Sequence, residues 1–114
     1  PAANGLKPGY EQKAFDADAR RGRLRLVGAP DGADGAITLH ADARLYAGLL
    51  DGAETASVQL APGRLGYVFV ARGELSVNGH ALREGDGAAL SGEPLVSLAQ
   101  ARDAEVLVFD LAAR

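Results

Sequence analysis

Residues 60–86, LAPGRLGYVFVARGELSVNGHALREGD, carry the reading that decides the fold class. Pro62-Gly63 is a turn signal: proline presets one turn dihedral and glycine accepts the positive φ that follows. From Tyr67 to Ala71 the chain is apolar on both faces, the pattern of a central strand covered on both sides. Gly73-Glu74 breaks that run. Leu75 and Val77 then alternate with Ser76, and Asn78-Gly79 ends the alternation with the strongest hairpin signal in the chain. Leu82 leads into a further bend at Gly85-Asp86. Turn signals this closely spaced leave room for short strands and none for a helix, which is the signature of a β-sandwich or barrel.

The same grammar continues outward. Residues 1–9, PAANGLKPG, read as an irregular leader. A short strand is expected over 10–15, followed by one helical turn running to Arg21. Asp16 caps that turn, because its carboxylate can accept orphan backbone N–H groups. Arg23 to Ala29 alternates Arg with Leu. The loop over 30–35, PDGADG, has turn residues but neither the spacing nor the closing Glu of a calcium loop. Ile37 and Leu39 alternate with Thr38 and His40, which puts His40 on the polar side of a strand. Leu45 to Leu50 is a nearly continuous apolar strand closed by Asp51-Gly52, and Thr55 to Leu60 turns Val58 and Leu60 inward. Ala88 to Leu90, Leu95 to Ala99 and Glu105 to Leu111 supply the last strands, with Asp103 and Glu105 as ordinary edge charges. The expectation is one all-β domain over residues 1–114, of about ten strands with at most one short helical turn.

Composition removes several function classes. The chain has 114 residues, no cysteine and two histidines, His40 and His80. Thiolate metal sites, cysteine nucleophiles and redox motifs are therefore excluded, and no three-histidine metal centre can be built from this chain alone. A net charge of −3 offers no positive excess for nucleic acid. The basic run over 20–25, RRGRLR, reads as a solvated strand face. No apolar run approaches the ~20 residues that span a membrane, and no signal-peptide pattern opens the sequence, so a cytoplasmic location is expected. Alanine, glycine and arginine dominate while lysine is confined to Lys7 and Lys13, a bias that suggests a high-GC bacterial source.

With these turns in place the chain resembles the cupin superfamily, a jelly-roll barrel often built around a histidine-held metal. The first cupin motif has the form H-x-H-x-x-x-E-x-x-x-x-x-x-G and the second G-D-x-x-x-x-P-x-G-x-x-H. Anchored on Gly73, the first puts its Glu at Gly66 and its histidines at Pro62 and Leu60. Anchored on Gly85-Asp86, the second puts its Pro at Ser91, its Gly at Glu93 and its His at Val96. The anchoring turn glycines, Gly73 and Gly85, match while every ligand position holds a residue without a metal-binding side chain. Leu60 and Val96 would fill the barrel interior with hydrocarbon instead of imidazole, and Gly66 offers no carboxylate.

More narrowly, the sequence looks like the C-terminal half of a pirin-like bicupin, the family that includes bacterial quercetin 2,3-dioxygenases. The likeness spans nearly the whole chain. It rests on PGYEQK over 8–13, GRLRLV over 22–27, PDG over 30–32 and HADARLY over 40–46. It continues through PGR over 62–64 and VNG over 77–79 to EVLVFDL over 105–111. The resemblance implies a metal-bearing, flavonol-opening N-terminal cupin and a degenerate, metal-free C-terminal one. No catalytic residue, metal ligand or cofactor is thereby implied for this chain, and its expected partner is an N-terminal cupin domain or a second copy of itself. Quercetin 2,3-dioxygenase activity would belong only to the full bicupin. A different reading is a barrel whose interior accepts one small apolar or aromatic ligand.

The remaining polar residues are weighed against simpler roles. His80 follows Asn78-Gly79, where a solvated turn histidine is the plain reading. His40 and Asp42 share one face of a strand, the spacing of a His-carboxylate pair, yet no G-x-S-x-G elbow accompanies them, and neither Ser57, Ser76, Ser91 nor Ser97 sits in a nucleophile turn. Gly85-Asp86-Gly87 opens a strand and lacks the glycine spacing of a dinucleotide loop. Tyr10, Phe15 and Tyr46 could line a pocket, with core or interdomain packing as the default.

Overall fold

The computed structural model of the chain describes residues 20–30, 32, 36–38 and 42–112. Eight strands run through them: β1 Leu24–Ala29, β2 Ile37–Thr38, β3 Ala43–Gly52, β4 Ala56–Gln59, β5 Arg64–Val77, β6 His80–Arg83, β7 Gly87–Ser91 and β8 Leu95–Ala112. They join in one sheet with the path β2-β1-β3-β8-β5-β6, to which β4 adds on β8 and β7 on β5. The all-β jelly-roll expectation holds. The expected strand over 10–15 and residues 16–19 of the helical turn expected from Asp16 to Arg21 lie outside the described residues, while Arg21 makes a parallel β-bridge with Leu49.

Two long strands fold this sheet onto itself. The first part of β5 pairs with β7 (Leu65↔Ser91 to Phe69↔Gly87), and its last part pairs with β6 (Glu74↔Arg83 to Val77↔His80). Likewise β8 begins against β4 (Val58↔Val96) and continues against β3 (Ala43↔Leu111 to Leu50↔Ala104). β5 and β8 stay paired to each other throughout, so both belong to both layers. The sequence reading had each of them as two strands with a break between. They are instead continuous, because bulges take the place of turns: the β5–β8 register shifts between Val70 and Arg72, Arg72 and Glu74, and Glu74 and Ser76. Gly73 at φ +76 makes the bend in β5, while Gln100 (φ 53) and Asp103 (φ 46) make it in β8 without glycine. Two of the strands in the estimate of about ten are therefore halves of β5 and β8.

Between the layers the side chains alternate as a sandwich requires. Val68, Val70, Val96, Leu98, Val106 and Val108 are fully buried, and Leu60, Leu75, Val77 and Leu90 complete the core around them. Each such side chain contributes about 1.5–3 kcal/mol of transfer free energy. The barrel interior is thus filled with hydrocarbon. The depressions among the described residues open on the surface; one of about 500 Å³ lies between residues 60–64 and 92–94.

The turns form as their residues demand. Ala61–Arg64 is a Pro-Gly turn, with Gly63 at φ +81 and the Arg64 N–H donating to the Ala61 carbonyl at 3.2 Å. Asn78 (φ 48) and Gly79 (φ 86) form the two-residue hairpin between β5 and β6. Asn78 has a second task. Its side-chain amide donates to the Leu95 carbonyl at 3.0 Å and accepts from the Ser97 N–H at 2.7 Å, tying the hairpin to the start of β8.

Candidate functional site

The positions that match cupin ligands can now be placed. Leu60, Gly66 and Val96 are buried and converge at one end of the interior, whereas Pro62 stands exposed in its turn. A Cβ built on Gly66 would lie 3.0 Å from Leu60 Cδ1, 3.2 Å from Val96 Cγ2 and 3.7 Å from Leu90 Cβ. Gly66 is therefore enclosed by aliphatic carbon, and even a methyl group there forces its neighbours aside. None of these side chains carries a lone pair, so a metal ion has no donors at this place. The residues present do not fit the group that the fold commonly holds.

Beside this cluster lies the most buried charge among the described residues. Asp110 is the register partner of Gly66 on β8, and only 10 % of its side chain is exposed. Arg64, at the start of β5, satisfies it: Nε donates to Asp110 Oδ1 at 2.7 Å and Nη2 to the Asp110 carbonyl at 3.1 Å. The other arm of the guanidinium reaches Asp42, with Nη1 on Oδ2 at 2.9 Å and Nη2 on the carbonyl at 3.3 Å. Those bonds, first to Asp110 and then to Asp42, hold the Arg64 guanidinium even more firmly protonated than usual. The planar fork bridges two carboxylates and joins the beginning of β3 to β5 and β8.

Tyr46 packs against the core from β3, opposite Val108. Burial, and next the negative charge of Asp110, raise its pKa above the ordinary 10.0. The folded state therefore keeps the phenolic proton at a pH where the unfolded chain has lost it. Between pH 10.0 and the higher folded value the native form binds more protons than the unfolded one, so stability falls as pH rises. Urea denaturation in steps upward from pH 9 is expected to show this loss in the native chain and a flatter profile in Tyr46→Phe. Equal slopes would contradict the assignment.

Other residues singled out by sequence fall as follows. His40, Tyr10 and Phe15 lie outside the described residues. Asp42 is exposed and its carboxylate is taken by Arg64. His80 is exposed at the start of β6. Ser76 donates to Gln100 Oε1 at 2.9 Å across two strands. Asp103 and Glu105 were expected as edge charges but belong to the middle of β8. There Glu105 bridges Arg20 at 3.0 Å and Arg72 at 3.1 Å, while the Asp103 N–H donates to Asp51. The bulges of β8 bring this stretch against Asp51 at the end of β3, where Glu105 is half-buried and the Asp103 side chain stays exposed. Arg64 and Asp110 escaped notice as a pair: they lie 46 positions apart, and only the β5–β8 register brings them together.

A doubly layered jelly roll with an apolar cluster at its ligand positions defines a cupin-type domain without the usual metal donors. The chain belongs to the family described as the quercetinase C-terminal cupin domain, whose model matches residues 26–111. It is 37 % identical over 111 residues to quercetin 2,3-dioxygenase of Escherichia coli K12, covering 97 % of this chain and 47 % of that protein. Among solved structures, YhhW of Escherichia coli superposes with a TM-score of 0.79 at 35 % identity, over 86 % of this chain and 41 % of that one. The structure of bacterial pirin YhhW in complex with nickel(II) gives 0.76 at 34 % identity, over 80 % and 40 %. The chain thus spans about half the length of the relatives it matches. Among the described residues no helix is long and apolar enough to cross a membrane.

Proposed function

We propose that this domain is the metal-free, non-catalytic cupin of a pirin-like two-domain arrangement, a scaffold and interaction partner for a second cupin-type domain. The observation that carries this is the aliphatic enclosure of Gly66 by Leu60, Val96 and Leu90 where ligands would converge. Chemistry of the kind named for the Escherichia coli relatives, whether quercetin oxidation or nickel binding, then belongs to a different domain. The reading fits a bacterial cytoplasmic protein, since nothing in the chain calls for oxidising surroundings.

Metal analysis of the purified native chain, grown with iron, nickel, manganese and zinc in the medium, tests this directly. The expected content is far below one ion per chain, and quercetin with added metal is expected to stay unconsumed. A stoichiometric metal retained through gel filtration would overturn the proposal.

A further inference from the structure

Asn78 does more in this fold than its turn requires. A two-residue hairpin asks only for positive φ at both positions, which glycine or aspartate would also supply. Asn78 instead makes three bonds to one short stretch at the start of β8. Its backbone N–H donates to the Ser97 carbonyl at 2.9 Å, Nδ2 donates to the Leu95 carbonyl at 3.0 Å and Oδ1 accepts from the Ser97 N–H at 2.7 Å. A carbonyl can only accept and an N–H can only donate. The side chain must therefore offer one donor and one acceptor, which an amide does and an ionised carboxylate does not. Between Leu95 and Ser97 stands Val96, fully buried, with Cγ2 at 3.2 Å from a Cβ built on Gly66. The tie thus fixes a strand that walls the aliphatic enclosure.

The next residue, Gly79, is exposed at φ +86 with nothing within 4 Å of where a Cβ would stand. No side chain shields its backbone nitrogen from the asparagine beside it. We propose that Asn78 is a site of spontaneous deamidation, and that conversion of its amide to an acid unties the β5–β6 hairpin from β8. The Gly79 nitrogen attacks the Asn78 side-chain carbonyl carbon, a new C–N bond closes a cyclic imide, and the Cγ–Nδ2 bond breaks. The proton of the Gly79 N–H leaves with Nδ2 as ammonia. Water then opens the imide at either carbonyl. One product is an aspartyl residue, whose ionised carboxylate faces the Leu95 carbonyl with nothing to donate. The other is an isoaspartyl residue, which routes the main chain through the former side chain and lengthens the hairpin by one carbon. Attack also takes Nδ2 away from Leu95, so the reaction starts from the locally opened hairpin and the native bonds hold it back.

Asn4-Gly5 is the other Asn-Gly pair of the chain, so Asn4→Gln leaves Asn78 as the single asparagine. That variant is aged at physiological temperature and mildly alkaline pH, both folded and in guanidinium. Mass spectrometry and isoaspartyl detection then follow the peptide that contains residue 78. Acid forms are expected in both samples, accumulating about ten-fold or more slowly in the folded one, where side-chain bonds must open first. The aged product, separated by its added negative charge, and Asn78→Asp made directly are each compared with their unaged parent by denaturant unfolding. Both are expected to show a folding equilibrium constant about ten-fold or more smaller. An amide that survives in the folded chain while the unfolded chain converts completely would overturn the site. Equal rates in the two samples would overturn the hold exerted by the native bonds, and acid forms as stable as their parents would overturn the untying.

Discussion

Gly73→Ala is expected to abolish or nearly abolish cooperative folding. The residue sits at φ +76 in the bend of β5, and a Cβ there would run into the backbone carbonyl oxygens of Asp103 and Arg102 on β8. Both obstacles are main chain, held by the strand pairs on either side, so neither can swing away. The left-handed conformation alone costs an alanine about 1–2 kcal/mol, and the collision adds to it. A loss of at least ~4 kcal/mol is expected, a large part of the 5–15 kcal/mol that typically separates folded from unfolded. Gly85→Ala is the matched control: φ is +88 there, but nothing lies within 4 Å of the added carbon. It should show the conformational cost alone. Guanidinium unfolding followed by circular dichroism measures both, and similar midpoints for the two variants would refute the steric argument.

Removing Arg64 should have the next largest effect. Arg64→Leu leaves Asp110 buried against the hydrocarbon around Gly66 with its main charge partner gone. Breaking one side of a buried pair typically costs about 3–5 kcal/mol, most of it the penalty on the stranded charge. The double variant Arg64→Leu/Asp110→Leu should therefore be markedly more stable than Arg64→Leu alone. Asp42, largely exposed, can return to water without comparable loss. Purely additive losses in the double-mutant cycle would show that the two side chains do not act as a unit.

Much of this was legible beforehand, and the reasons are local. Pro62-Gly63 and Asn78-Gly79 specify their turns through dihedral preferences that no distant contact has to supply. The alternation of Val58 with Leu60 and of Leu75 with Val77 marks inward faces by a period of two residues. What misled was the assumption that a glycine or a polar cluster inside a strand must end it. Gly73 bends β5 without ending it, and Gln100 and Asp103 adopt positive φ where no glycine signals it. Such bulges are stabilised by the partner strand, a contact the local pattern does not encode.

By itself, then, the sequence determined the class of fold, the turns and the identity of the residues standing where cupin ligands would be. Those properties follow from backbone dihedral preferences and side-chain chemistry, which travel with each residue. Only the tertiary structure decided that Leu60, Gly66 and Val96 converge while Pro62 does not, and that Arg64 neutralises Asp110 beside them. The same holds for the pairing of the Tyr67 and Phe109 rings across β5 and β8. These depend on register between strands far apart in the chain. Pairing energy is spread over many similar backbone hydrogen bonds, so the register emerges only when the whole sheet closes.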